Sequence, residues 1–397
     1  MPSLRLPAER TRGPLPAETD VAVIGGGLAG TAVAYELAGE GLDVLLLERG
    51  ELNREASGTN AGSFHFQIAI HQLTERDAGG SHARLAADVR LQLEAARLWE
   101  TLEEELGGPL GVHRTGGLMV AETPEELRLL HEKHAIEEEA GLETHVLEGD
   151  ELRRFAPYLA DDLLGATYCP AEGHANPFLA APLFALRAAE RGATIRTGVA
   201  VTAVEPGFVV RTGAGDVRAR RVVNAAGAWA AELAATSGIE LPTRSEGLHV
   251  NVTEPRRKVL EPLVQHIGRR LTLKQTDSGT FVIGGGWPAR PERSPARYST
   301  IWESAAGNAA VAVRVMPSLA GVRLVRTWTG VLAFTPDLQP VVGEAESLPG
   351  YFTCLATTGF TLSPMIARML AAHVARGEPL PPEYAPERKG SRWTATT

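Results

Sequence analysis

The chain has 397 residues, a formal net charge of −9, 44% hydrophobic and 22% charged residues. This is the balance of a globular chain with a large core, so wholesale disorder is excluded, and at roughly 150 residues per domain two or three lobes are expected. An acidic chain with no basic tract of five or more residues is no general binder of nucleic acid, whose phosphates need clustered Lys and Arg. Cys169 and Cys354 stand far apart and in no metal-ligand spacing, which argues against a disulfide scaffold and a zinc site, and no metal is expected. They fit a reducing compartment. No apolar run of 18 residues occurs, so no membrane span is expected. The opening MPSLRLPAERTRGPLPAETD lacks the apolar core of a secretory signal, and cytoplasmic residence is the expectation.

In chain order, Val21 to Ile24 is a short β-branched apolar run, as a strand buried on both faces should be. GGGLAG follows, then a helix over 31–39 and a second strand over 42–47 closed by Glu48. Residues 53–67 read as a polar loop. Helices are predicted over 82–106 and 123–140, the second opened by Thr123 and Glu126 as a capping box. An amphipathic helix spans 176–191, with Pro177 near its start. Short strands follow at 194–196, 199–204, 209–212 and 221–224, with a turn at 213–216. Strands at 248–252, 271–274 and 281–283 look like a separate antiparallel sheet. A helix over 300–315, strands at 322–327, 340–342 and 351–355, and a last helix over 362–375 complete the chain.

Gly25-x-Gly27-x-x-Gly30 lies between a strand and a helix, the context a dinucleotide fingerprint requires. Gly25 permits the tight turn, Gly27 lets the backbone approach a pyrophosphate, and Gly30 lets helix and strand pack closely. The helix N-terminus then offers unpaired N–H groups and a positive dipole end to the phosphates. Glu48, 18 residues after Gly30, can accept both ribose hydroxyls and would repel a 2′-phosphate, which argues against NADP. This motif alone leaves NAD and FAD both open.

Later stretches decide between them. Ala56 to Ser63 (ASGTNAGS), GHANP at 173–177, GATIRTGVAVTAVE at 192–205, VVNAAGAWA at 222–230, TWTGVLAFTPDLQPVVGE at 327–344 and TTGFTLSP at 357–364 occur in this order. Together they resemble the D-amino-acid oxidase-like superfamily of FAD-dependent oxidoreductases, over roughly residues 18 to 385. The resemblance implies an α/β fold: a Rossmann-like FAD-binding domain from segments 18–80, 146–238 and 326–385, with a second antiparallel-sheet substrate domain from 81–145 and 239–325. It implies FAD as cofactor. Gly25, Gly27 and Gly30, with Leu28 and Ala29 between them, would hold the pyrophosphate, and Glu48 with Arg49 the adenosine ribose. Val201 matches the position whose backbone meets adenine. Ala226 and Gly227 match the turn that passes the pyrophosphate, with Trp229 just beyond. Ser57, Asn60, Ala61 and Gly62 match the loop along the flavin, with Gly330 from the Trp-x-Gly motif. Gly359, Phe360, Thr361 and Leu362 match the turn into the last helix, whose N–H groups can stabilise negative charge on reduced flavin.

The implied reaction is hydride transfer from a C–H bond beside nitrogen to flavin N5, the imine then being hydrolysed, with an amino acid or amine as small-molecule substrate. The cofactor carries this chemistry, so protein groups mainly position the substrate. The chain departs from glycine-oxidase-like members in having no Arg after Trp328-Thr329-Gly330-Val331. That Arg clamps a substrate carboxylate there. The arrangement is closer to β subunits of heteromeric amine dehydrogenases and sarcosine oxidases. Ala356-Thr357-Thr358-Gly359 also has fewer glycines than the family often shows. The stretch Gly279 to Gly284 lacks the Lys that dioxygen-using members place over the flavin, which favours a dehydrogenase. Polar candidates for the substrate pocket are His65, Gln67, His249 and Gln275, each with a structural side chain as its alternative. Arg269 and Arg270 can bind a carboxylate or form an exposed pair at a strand start. The alternatives in function are a 2-hydroxy acid (hydroxyglutarate-like) oxidoreductase, which SGTNAGSFH also resembles, and a flavin-binding subunit of a heteromeric amine dehydrogenase. A homo- or hetero-oligomer is compatible with either.

Overall fold

A computed structural model describes residues 6–69, 72–73, 82–292 and 297–388. Its framework is two eight-stranded sheets. The first runs in the order Val341–Glu344, Tyr351–Leu355, Val217–Asn224, Glu18–Ile24, Val44–Glu48, Thr194–Thr197. Val209–Thr212 and Val201–Glu205 branch from it as an antiparallel meander. Glu18–Ile24 is parallel to both neighbours. Val21, Ala22 and Val23 are fully buried, because helices cover one face and a second apolar layer the other. That is why this strand reads as a continuous apolar run. Helix Leu28–Gly39 packs against Ala180–Glu190 and Gly359–Arg376 on one face.

The second sheet runs Leu324–Phe334, Arg244–Pro255, Thr280–Gly284, Thr272–Gln275, Leu263–His266, Gly117–Ala121, Gly165–Cys169, His145–Glu148. Its pairs are antiparallel except Leu263–His266 with Gly117–Ala121, which is parallel. Helix Trp302–Val315 covers one face, its Ala312 and Val315 in the same core as Leu273, Phe281 and Ile283.

Most of the long helices and the first sheet lie where periodicity and β-branched runs put them. The Thr123 capping box forms: Glu126 N–H donates to Thr123 Oγ1 at 3.2 Å and Thr123 N–H to the Glu126 carboxylate at 3.1 Å. Four strands of the second sheet are absent from the sequence reading: Gly117–Ala121, His145–Glu148, Gly165–Cys169 and Leu263–His266. Gly117–Ala121 is buried at all five positions, so no alternation marks it. The loop over 53–67 contains a turn of helix, Ala56–Thr59, and a short strand, Ser63–Phe64, paired with Gly173–His174. His145–Glu148, Gly165–Cys169 and Leu324–Phe334 all pair in the second sheet, so segments 146–238 and 326–385 each contribute to it.

Candidate cofactor and substrate site

A cavity of about 1210 Å³ is lined from both sheets. Its floor begins at the end of Glu18–Ile24. Gly25 has φ +117°, and a Cβ there would sit 2.4 Å from Ala225 O. A Cβ on Gly30 would sit 1.9 Å from Gly25 O, so Gly30 acts by packing and is not itself on the cavity wall. Gly27 caps helix Leu28–Gly39 without a side-chain hydrogen bond, which leaves the helix N-terminus facing the cavity beside Gly25, Gly27 and Ala29. Leu28 N–H donates to Ser57 Oγ at 2.9 Å. The Leu28 side chain is buried in the core, as is that of Leu362, so these two lie behind the wall.

Glu48 ends its strand on the cavity. Its carboxylate accepts Gly26 N–H and Gly50 N–H, each at 2.7 Å. This fixes the two oxygens while leaving lone pairs for hydroxyl donors. The Arg49 guanidinium lies 3.5 Å from the ring centre of Trp229 and pairs with Glu55 at 2.9 Å, joining three segments around the groove. Asn60 anchors its loop: Oδ1 accepts Gly62 N–H at 2.7 Å, and Nδ2 donates to Ala56 O and Ser57 O. Trp328 Nε1–H donates to Thr59 O at 2.7 Å and ties that loop to the second sheet. Val201, Ala226, Gly227, Ala61, Gly330, Gly359, Phe360 and Thr361 all line the cavity. Helix Gly359–Arg376 also starts without a side-chain cap. Trp99 Nε1–H holds it by donating to Thr361 O at 2.9 Å.

These residues fit FAD on two counts. Two helix N-termini whose cap residues make no side-chain hydrogen bond meet one cavity, one placed for phosphates and one for a second anionic group. Buried polar atoms are ordinarily paired, yet Asn53 Oδ1, Ser63 Oγ, His65 Nδ1 and Thr357 Oγ1 are buried without a partner among the described residues. All four residues line the cavity. No group of three His, Cys, Asp or Glu among the described residues can hold a metal ion.

The four substrate-side candidates separate. His65 lines the cavity. Burial, above all, drops its pKa to about 4, with Gln265 and Lys274 as neighbours, so it is a neutral imidazole. Gln67 also borders the cavity, but its amide is fully engaged. Nε2 donates to Glu172 at 2.9 Å, and Oε1 accepts Lys133 Nζ at 2.8 Å and Thr167 Oγ1 at 2.7 Å. Gln275 lies off the cavity: Oε1 accepts Val259 and Leu260 N–H, and Nε2 donates to the carbonyls of Arg256, Arg257 and Gly279. It is a loop clamp. His249 borders the cavity, yet its Nε2 accepts Ile301 N–H at 3.0 Å. It pairs in register with Thr329, while Val250 pairs with Trp328. Trp328 reaches the Thr59 loop, so strand alternation turns the His249 ring to the opposite face.

Sequence reasoning missed a buried network behind His65. Lys133 and Glu137, both fully buried, pair at 2.7 Å. Phe66 and Gln67 N–H donate to Glu172 at 2.9 and 3.0 Å, and Ile68 N–H to Glu137 at 2.7 Å. Burial pushes both carboxyls upward in pKa. At i and i+4 on a polar helix, Lys133 and Glu137 look like an ordinary surface pair, and no sequence signal sets them apart. Lys274 was also missed. It pairs in register with Val282, one strand from the stretch read as lacking a lysine. Burial lowers its pKa to about 7.

The family described as FAD dependent oxidoreductase matches residues 20–373. One of the subunits of opine oxidase from Rhizobium meliloti is 30% identical over 378 residues, covering 91% of this chain and 94% of that protein. The crystal structure of L-proline dehydrogenase from P. horikoshii superposes with a TM-score of 0.84 at 26% identity, covering 94% of this chain and 98% of the other. Glycine oxidase from Bacillus cereus ATCC 14579 gives a TM-score of 0.76 at 25% identity, over 91% and 96%.

Proposed function

The chain belongs to the FAD dependent oxidoreductase family, and on that premise we propose that it oxidises the CH–NH bond of an amino acid or secondary amine. Bound FAD supplies a two-electron acceptor for the hydride. Gly25, Gly27, Ala29, Glu48, Arg49, Ser57, Asn60 to Gly62, Val201, Ala226, Gly227, Trp229 and Gly330, which all line the cavity, would hold it. The N–H groups of Gly359, Phe360 and Thr361, at the start of a helix on the cavity wall, would stabilise negative charge on the reduced cofactor. The lobe that binds it centres on the first sheet, and the second sheet roofs the substrate.

The observation that carries the reading is His65. A neutral imidazole with a buried, unpartnered nitrogen on the cavity wall can accept a hydrogen bond from a substrate N–H. The names of the relatives (opine oxidase, L-proline dehydrogenase, glycine oxidase) support the same class. The relation to a protein named as one subunit of an oxidase favours work within a hetero-oligomer. Cytoplasmic residence goes with two free, buried cysteines. Among the described residues no helix is long and apolar enough to cross a membrane.

The test is anaerobic titration of the purified flavoprotein with amino acids and secondary amines, then with 2-hydroxy acids, while the visible flavin band is followed. Bleaching by an amine is the expected result. Bleaching by 2-hydroxy acids alone overturns it. No bleaching by either class, with a partner protein copurifying, moves the assignment to a non-catalytic role in a larger complex.

A further inference from the structure

Behind the cavity wall, hydrogen-bond directions are forced one after another from Lys133 to His65. Lys133 Nζ can only donate, and it donates to Gln67 Oε1 at 2.8 Å. The Gln67 amide is thereby fixed with its nitrogen toward Glu172 Oε2, at 2.9 Å. Gln265 Nε2 donates to the same oxygen at 3.3 Å, and the backbone N–H groups of Phe66 and Gln67 take the other. Burial raises the pKa of Glu172, but these four donors fill the lone-pair sites of a carboxylate and leave none for a proton. Gly117 makes the space for it: a Cβ there would lie 1.9 Å from Glu172 Oε2. Gln265 pairs in register with Met119 and with Thr272, and all three line the cavity. Its amide therefore runs from the buried carboxylate to the wall. With the nitrogen committed to Glu172, the oxygen is what Gln265 offers to His65, its hydrogen-bonding neighbour.

We propose that Gln265 is a positioning residue for His65, holding the imidazole in one neutral tautomer so that one ring nitrogen donates to the Gln265 carbonyl and the other keeps its lone pair for the substrate N–H. The inference rests on the amine-oxidation reading and adds what makes His65 an acceptor. A carbonyl oxygen cannot donate, so the ring nitrogen that faces it must carry the proton. An amide free to turn over would admit either tautomer, and the wrong one would set N–H against N–H at the substrate.

The test reads the tautomer directly, by heteronuclear NMR of the FAD-loaded protein carrying isotope-labelled histidine, with His65→Leu identifying the His65 signals. The parent is expected to show one tautomer. Gln265→Met, which lacks the carbonyl, should give a mixture. Glu172→Gln, similar in shape but with an amide nitrogen in place of one oxygen, should turn the Gln265 amide round and shift the population to the other tautomer. A mixture in the parent, or a tautomer unchanged in either variant, overturns the proposal. In turnover, Gln265→Met should slow anaerobic flavin reduction about fivefold at unchanged KM, and should add nothing in the His65→Leu background. An equal loss in that background shows that Gln265 does not act through His65 and overturns the proposal. Should no amine reduce the flavin, the functional reading fails by itself, and the NMR result alone decides the role of Gln265.

Discussion

The floor of the cavity is assembled from backbone, whereas its roof is assembled from side chains. On the floor, Gly25, Gly27 and Gly30 bring strand, turn and helix so close that backbone and a helix end form the cavity wall, with Glu48 fixed by two N–H groups. On the roof, what a residue does depends on which way its strand turns it and on what lies behind. His65 and Gln67 differ by two positions, yet one has an unpartnered nitrogen and the other an amide with every strong bond taken. Recognition by backbone is written in glycine spacing. Recognition by side chain is decided only once distant segments have met.

The sharpest way to break this contrast is to disturb the buried charges under the roof. Lys133→Met leaves Glu137 without its amine and should lower stability by about 3–5 kcal/mol, read by urea unfolding. A loss below about 1 kcal/mol would mean the network is not structural. On the floor, Gly30→Ala forces a Cβ onto Gly25 O and should weaken FAD binding roughly a hundredfold, measured by the recovery of flavin fluorescence on release. Retained FAD would refute the packing role. His65→Leu should slow anaerobic flavin reduction about tenfold at unchanged FAD content. Matching behaviour from Gln67→Leu, without a loss of stability, would erase the distinction drawn between them.

The smallest effect concerns Asp88, away from both walls. Burial, opposed by Arg84, Gln339 and Tyr384, raises its carboxyl pKa from 3.8 to about 7. The folded chain therefore holds a proton that the unfolded chain gives up between these values. Stability falls as pH rises through that window. Asp88→Asn should raise stability by on the order of 1 kcal/mol above pH 7, with the gain fading toward pH 4. A thermal-melt difference independent of pH would contradict the assignment.

The cofactor half was legible because its determinants are local. The glycine fingerprint, the buried strand Glu18–Ile24 and Glu48 sit within a few dozen residues and obey backbone geometry. The roof was not, because it joins Gly117–Ala121 to Leu263–His266 and Gln67 to Glu172 across long stretches of chain. Gln275 and His249 were chosen for their strands. The first clamps a loop and the second turns to the far face, a distinction set by one residue of register. Lys274 escaped notice because a lone lysine on a short strand is usually solvated, and only the closed core shows its burial.

One consequence follows from the three successive N–H groups of Phe66, Gln67 and Ile68, whose acceptors are Glu172 and Glu137. A stretch nailed to interior carboxylates cannot shift without stranding them, so His65 stands on a rigid shelf that is complete as soon as the chain has folded. An arriving molecule therefore meets this edge of the chamber already in its working shape, and the conformational entropy of ordering it is spent during folding, not at each turnover.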